Sequence, residues 1–109
     1  MITPILVPRY ILGLHTRVPK KSRKIVVQQW LKNNGEFVAD GETVLVLDTR
    51  KAAVEMVSPA SGLLFQLIGV DVKVDVGDTL AVVADTEEEF RDYARQAIAR
   101  TAGEVLANN

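Results

Sequence analysis

An internal repeat is the feature that most constrains the fold of this chain. Two ten-residue segments, VADGETVLVL at 38–47 and VDVGDTLAVV at 74–83, align without a gap at an offset of 36 residues. Gly41 and Gly77 occupy the same place in both, where a tight turn needs unusual backbone angles. A short repeat that occurs twice predicts two halves related by a quasi-two-fold axis rather than a solenoid. Two antiparallel sheets facing each other would bury both sets of apolar residues.

The rest of the chain up to residue 85 is also typical of an all-β domain. The segments PILVPRYIL and KIVVQQWL are short runs rich in strand-forming residues, and Asn-Asn-Gly at 33–35 indicates a turn. With 48% hydrophobic and 25% charged residues in 109, the chain can form one packed core. We therefore expect a flattened β-barrel or sandwich of two antiparallel, roughly four-stranded sheets over residues 1–85.

The last part of the chain changes its periodicity and predicts an α-helix. Thr86 followed by Glu89 is a capping-box pattern, and three glutamates in the first turn suit the helix dipole. We expect a C-terminal helical extension at 86–109, with the helix running from about 87 to 102 or beyond and fraying or ending at Gly103. The apolar stripe of this helix should pack on the barrel or pair with another chain. The stripe comprises Phe90, Tyr93, Ala94, Ala97, Ile98 and Ala102.

The net charge of −1 conceals an uneven distribution along the chain. Residues 1–35 contain seven bases and no acid, whereas residues 36–109 contain six bases and fourteen acids. Five of the bases lie in GLHTRVPKKSRK at 13–24, a loop that would suit an acidic protein partner or, less well, nucleic acid. The plainer interpretation is two ends of opposite charge that attract each other or lie apart on one surface, and both interpretations stay open.

Membrane, disulfide and most catalytic functions have no support in the sequence. No apolar run reaches membrane-spanning length, no signal-peptide pattern begins the chain, and there is no cysteine. His15 has no ligand partner at metal-binding spacing, and Ser58 and Ser61 lack a nucleophile-elbow context. We find no phosphate loop or dinucleotide fingerprint. The expectation is a cytoplasmic, non-catalytic protein without a metal site.

Lys51 is the candidate site residue. In LVLDTRKAAVEM, at 45–56, the segment DTRK interrupts the apolar run and AVEMV resumes it, with Val54 and Met56 on one face and Glu55 on the other. This pattern predicts a hairpin with Lys51 at or next to its tip. A lysine there is either a solvated turn residue or a chemical handle.

The residues around Lys51 resemble the biotinyl/lipoyl attachment domain family, and its lipoyl branch more closely. The resemblance runs from about Val26 to Val83. Family members place the modified lysine in an acid-Thr-Asp-Lys-Ala turn, followed by Glu, Ser-Pro and Gly. The matching positions here are Asp48, Thr49, Lys51, Ala52, Glu55, Ser58, Pro59 and Gly62.

The resemblance implies a barrel-sandwich hybrid that presents Lys51 for covalent attachment of lipoate. Lipoate would act as a swinging arm between a 2-oxo acid decarboxylase, an acyltransferase and dihydrolipoamide dehydrogenase, after attachment by a lipoate ligase or transferase. Residues expected to be recognised around the hairpin are Asp48, Thr49, Arg50, Ala52 and Glu55. Biotin is disfavoured because no methionine flanks Lys51.

Three departures from the family pattern leave an unmodified binding module as the alternative function. Arg50 stands where the family usually has Asp, the loop at 13–24 is longer than usual, and a helix replaces the flexible linker that normally follows the domain.

Overall fold

The computed structural model describes residues 1–9, 24–49 and 52–107, with side chains described as far as Ile98. These residues form eight strands and one helix. In chain order the elements are β1 (Ile2–Leu6), β2 (Ile25–Trp30), β3 (Phe37–Val38), β4 (Thr43–Thr49), β5 (Ala53–Val57), β6 (Gly62–Gln66), β7 (Lys73–Val74), β8 (Thr79–Ala84) and α1 (Glu87–Ala107).

The strands form two four-stranded antiparallel sheets, as the sequence predicted. Sheet I has the order β1-β8-β6-β3 and sheet II the order β5-β4-β2-β7. The repeat places β3 and β4 in the first half at an offset of 36 from β7 and β8 in the second. In the order of sheet I, β1 is replaced by β5, β8 by β4, β6 by β2 and β3 by β7 when the two halves are exchanged. The result is the strand order of sheet II. The quasi-two-fold axis therefore relates the two sheets.

The core lies between the sheets and is almost entirely aliphatic. Alternate residues of the strands point inward, which is why the apolar repeats fill the core from both sides. Trp30 is half-buried at its margin, and its Nε1 donates a hydrogen bond of 2.9 Å to the carbonyl of Ile68. The buried cluster consists of Ile5, Val7, Ile25, Val27, Val38, Val44, Leu45, Leu47, Met56, Leu64, Val74, Leu80, Ala81 and Val83.

The two repeated turns have the same hydrogen bonds. Gly41 and Gly77 have φ of 86° and 89°, in the left-handed region that favours glycine. The carboxylates of Glu42 and Asp78 each accept a bond from the backbone N–H three residues earlier, at 3.0 and 2.8 Å. The glycine of each repeat permits the backbone angles of the turn. The acid that follows it accepts a hydrogen bond from a backbone N–H of the same turn, so both residues have a local structural role.

Lys32 joins the first repeated turn to the turn that precedes it. Its Nζ lies 2.9 Å from a carboxylate oxygen of Glu42 and 3.5 Å from one of Glu36. The hydrogen bond that Lys32 donates to the Glu42 carboxylate raises the pKa of Lys32. Bonds from the backbone N–H groups of Asn33 and Ala39 lower the pKa of Glu36 and Glu42, so both acids are held in the charged form that the turns use.

Helix α1 adds a third layer over sheet I. Val82 and Ala84 lie outside the core cluster, opposite Phe65 and Leu63 on neighbouring β6, and are nevertheless buried. The Phe65 ring meets two helix side chains edge to face, with centroids 5.7 Å from Phe90 and 5.2 Å from Tyr93. The predicted packing of the helix on the barrel is therefore confirmed.

The start of α1 matches the predicted capping box, and the helix runs beyond residue 102, as the sequence analysis allowed. The Glu89 N–H donates to Thr86 Oγ1 at 3.1 Å, while the Glu89 carboxylate binds the N–H of Asp85 and the terminal amine of Met1. The backbone stays helical through Gly103 to Ala107, so an end at Gly103 is wrong. The cost of one glycine, about 1 kcal/mol, is too small to stop an otherwise regular helix. No helix within the described residues is long and apolar enough to cross a membrane.

Candidate functional site: the β4–β5 hairpin

Strands β4 and β5 form the predicted hairpin, with the predicted division between its faces. Leu47 pairs with Val54 and Leu45 with Met56, so these side chains face the core. Glu55 lies on the outer face and is exposed. The alternation that the sequence showed at 53–57 is therefore the register of an edge strand whose inner side is buried.

Three hydrogen bonds between two residues close the hairpin. The Thr49 N–H donates to the Ala52 carbonyl at 3.0 Å, and the Thr49 hydroxyl donates to the same carbonyl at 2.8 Å. The Ala52 N–H donates back to Thr49 Oγ1 at 3.2 Å. Arg50 and Lys51, the residues that connect this closed pair, lie outside the described residues.

The predicted carboxylates lie on the outer face of sheet II below the hairpin. Asp48 pairs with Ala53, and Glu55 is the next outward residue of the same strand as Ala53, so the two acids are diagonal neighbours. Both are exposed. Across the sheet from Asp48 come Val26 and then Lys73. The structure thus brings Asp48 and Glu55 together on one surface that leads to the hairpin.

The segment that adjoins the hairpin within sheet II was not predictable from the sequence. Ile25, the first residue of β2, pairs with Thr49 on one side and with Val74 on the other. The basic segment 13–24 therefore joins β2 directly beside the closed pair, and its last residue, Lys24, is exposed. This proximity depends on the pairing of β2 with β4. The repeat does not specify that pairing, so the proximity could not be predicted.

Helix α1 begins at the opposite end of the barrel from the hairpin. The turn after Val74 leads into β8, which runs away from the hairpin end and finishes at Ala84. At that far end the terminal amine of Met1 lies 3.0 Å from Asp85 and also contacts Glu89. The hydrogen bonds that the amine donates to Glu89 and Asp85 raise its pKa. The hairpin end and the helix start are thus separate surfaces.

The other residues weighed as chemical groups have structural roles. The Ser58 hydroxyl is buried and donates to the Ala60 carbonyl at 2.5 Å. Ser61 Oγ accepts a bond of 2.9 Å from the Asp40 N–H. His15 lies outside the described residues, and among those described no group of three or more His, Cys, Asp or Glu side chains could hold a metal ion.

The fold is thus a two-sheet barrel with quasi-two-fold symmetry and the β4–β5 hairpin between its halves. The family model for Biotin_lipoyl, "Biotin-requiring enzyme", matches residues 15–83. The chain belongs to this biotin/lipoyl family, whose domain carries a group and is not itself catalytic.

Proteins similar to this chain include acyltransferase components of 2-oxo acid dehydrogenase complexes. Over 81 residues the chain is 32% identical to the dihydrolipoyllysine-residue acetyltransferase component 3 of the mitochondrial pyruvate dehydrogenase complex of Arabidopsis thaliana, covering 70% of this chain and 15% of the relative. It is 36% identical over 73 residues to the dihydrolipoyllysine-residue succinyltransferase component of the 2-oxoglutarate dehydrogenase complex of Staphylococcus saprophyticus, covering 63% and 17%. The chain therefore spans about a sixth of these proteins.

A solved structure of similar fold is a single-chain, multi-domain long-chain acyl-CoA carboxylase. The match has a TM-score of 0.52 and 22% identity, and it covers 73% of this chain and 8% of that one. It supports the fold of the barrel.

Proposed function

We propose that this chain is a lipoyl carrier domain in which Lys51 is the attachment residue. The observation that supports this most is the closed Thr49–Ala52 pair, because it leaves a two-residue connection whose second residue is Lys51. The family match and the acyltransferase relatives support a covalently carried group. A ligase would convert lipoate and ATP into lipoyl adenylate and pyrophosphate. The neutral amine of Lys51 would then attack the carboxyl carbon, form the amide and displace AMP, with loss of one proton from the nitrogen.

The role of the protein in this function is presentation. Lipoate, once attached, supplies a disulfide that accepts an acyl group together with electrons. The chain's own residues hold the attachment point on a hairpin whose inner side is fixed in the core by Leu47 and Val54. A rigid anchor suits a group that must enter several active sites, because the mobility then comes from the arm.

The partners we propose follow from the names of the relatives. These relatives are components of pyruvate and 2-oxoglutarate dehydrogenase complexes. A carrier in such a complex would meet a 2-oxo acid decarboxylase, an acyltransferase, dihydrolipoamide dehydrogenase, and a lipoate ligase or transferase. We propose recognition through Asp48 and Glu55 on the open face of sheet II, and a cytoplasmic location.

Helix α1 supports a further proposal, self-association. Ile98 is 69% exposed although Ala97, beside it, is half-buried. The helix extends nine residues beyond Ile98. A second copy covering this part of the helix would bury Ile98, and isolated helical segments of this length are marginal in water.

One feature favours an unmodified binding module as the second candidate. Arg50 replaces the aspartate that the family usually places before its lysine, next to the group that a ligase must recognise. A biotin carrier is a third candidate, since the family includes both cofactors.

Ligation in vitro tests these candidates. The purified chain is incubated with ATP and either lipoate and a lipoate ligase or biotin and a biotin ligase, and its intact mass is measured. We expect the mass increase of one lipoyl group in the first mixture, an increased modified fraction for Arg50→Asp, and no modification of Lys51→Arg. Addition of biotin instead would favour the biotin carrier. An unchanged mass in both mixtures, while known acceptor domains in the same tubes are modified, would favour the binding module.

A further inference from the structure

Thr49 makes contacts that its place in the sequence does not explain. It is half-buried at the end of β4, and its hydroxyl both donates to the Ala52 carbonyl at 2.8 Å and accepts from the Ala52 N–H at 3.2 Å. A side chain that faced a partner would leave its hydroxyl available. Here the hydroxyl binds both polar backbone groups of the residue that follows Lys51.

These two bonds act across the connection that carries Lys51. Together with the bond from the Thr49 N–H, they fix the residue before Arg50 to the residue after Lys51. The two residues between them, Arg50 and Lys51, include neither the glycine nor the asparagine that two-residue hairpin connections favour. The hydroxyl therefore supplies closure that the sequence of the turn does not.

We infer that Thr49 is a positioning residue for modification of Lys51, acting through Ala52 rather than by contact with the ligase. The inference rests on the proposed function. A ligase that binds a hairpin already closed does not have to order it, and the cost of ordering otherwise subtracts from binding. Removing the hydroxyl should weaken productive binding of the domain and leave the chemical step unchanged once the domain is bound.

The test compares three variants by steady-state ligation with lipoate, ATP and a lipoate ligase, with the domain as the varied substrate. Thr49→Val keeps the branched shape but removes the hydroxyl, and Thr49→Ser keeps the hydroxyl. Thr43→Val makes the same change at the other end of β4 and is the matched control. Loss of hydrogen bonds of this kind shifts an equilibrium roughly three- to tenfold.

We expect Thr49→Val to raise KM by about that factor with kcat nearly unchanged, and Thr49→Ser and Thr43→Val to keep the KM of the parent chain. Amide exchange at Ala52 should become faster in Thr49→Val alone, which measures the closure without any ligase. An unchanged KM for Thr49→Val, or an equal rise for Thr49→Ser, would overturn the inference while leaving the proposed function intact. A parent chain that is not ligated at all would overturn both, and the two failures are distinct.

Discussion

Gly62 begins β6 at a point where the backbone of β8 leaves no room for a side chain. A Cβ built on Gly62 would lie 2.1 Å from the Ala84 carbonyl oxygen, and the residue has φ of 157°. The obstacle is backbone of the central strand of sheet I, which cannot rotate away as a side chain could. Gly62, four residues after Ser58, is therefore required for the packing of β6 against β8, which is a structural role and not a role in attachment.

We expect Gly62→Ala to lower the free energy of unfolding by about 3 kcal/mol or more. Gly69→Ala is the matched control, because nothing lies within 4 Å of a Cβ built there. Chemical denaturation of both variants measures the difference. Equal stability of the two would mean that β6 and β8 can separate without cost, contrary to this packing.

Helix α1 makes the outer faces of the two sheets different. Its first turns cover an outer face of sheet I that is apolar at Phe65 and Val82, whereas the outer face of sheet II carries Asp48 and Glu55. The equivalent faces of the two sheets have thus diverged. The face of sheet I is covered by α1, whereas Asp48 and Glu55 on sheet II are exposed.

Substitutions along α1 should separate packing from self-association. Phe90→Ala removes a half-buried ring that contacts Phe65, and we expect a loss of about 1–2 kcal/mol in the free energy of unfolding. Ile98→Ala should leave the stability of the monomer unchanged, because its side chain is exposed. Thermal unfolding and analytical ultracentrifugation measure the two effects.

For Ile98→Ala we expect a shift toward monomer. If the parent chain is monomeric at all concentrations, our proposal of self-association through α1 is wrong, and the packing result stands alone. If Phe90→Ala is as stable as the parent chain, the helix contributes little to the barrel.

The sequence predicted the two sheets, the hairpin and the helix because each depends on local patterns. The repeat specified two equivalent halves, and the alternation around Glu55 specified which side of β5 is buried. Contacts between segments distant in the chain were not predictable. Neither the pairing of Ile25 with Thr49 nor the burial of Val82 by α1 leaves a pattern in a single segment. The Thr49 hydroxyl bonds were likewise hidden, because a threonine at a strand end has many partners available.

At the scale of the whole molecule, the basic segment 13–24 leads into β2 at the hairpin end of the barrel. Four of the five bases in 13–24, Lys20, Lys21, Arg23 and Lys24, lie one to five residues before Ile25. Lys24, the one of the four that the structure describes, immediately precedes Ile25, which pairs with Thr49. The helix start, at the other end, carries Glu87, Glu88 and Glu89. Such a separation favours approach of an acidic partner to the hairpin end.

Neutralising these four bases to glutamine should slow association with the partner and reduce its dependence on salt. Exposed charges act over a Debye length, which falls from about 30 Å at 0.01 M to about 3 Å at 1 M ionic strength. Stopped-flow association with the lipoate ligase, at low and high salt, measures the effect. The control replaces Arg91 and Arg95 on α1 by glutamine. Equal rates for the two variants at low salt would assign the basic segment no part in recognition.

The central claim, that Lys51 carries lipoate, is tested most directly on the protein as its own cells make it. The chain is isolated from those cells, its intact mass is measured, and peptides that contain residues 45–56 are fragmented. We predict the mass of one attached lipoyl group, located on Lys51, in a substantial fraction of the molecules. An unmodified mass throughout, or a group attached to a different lysine, would contradict the claim.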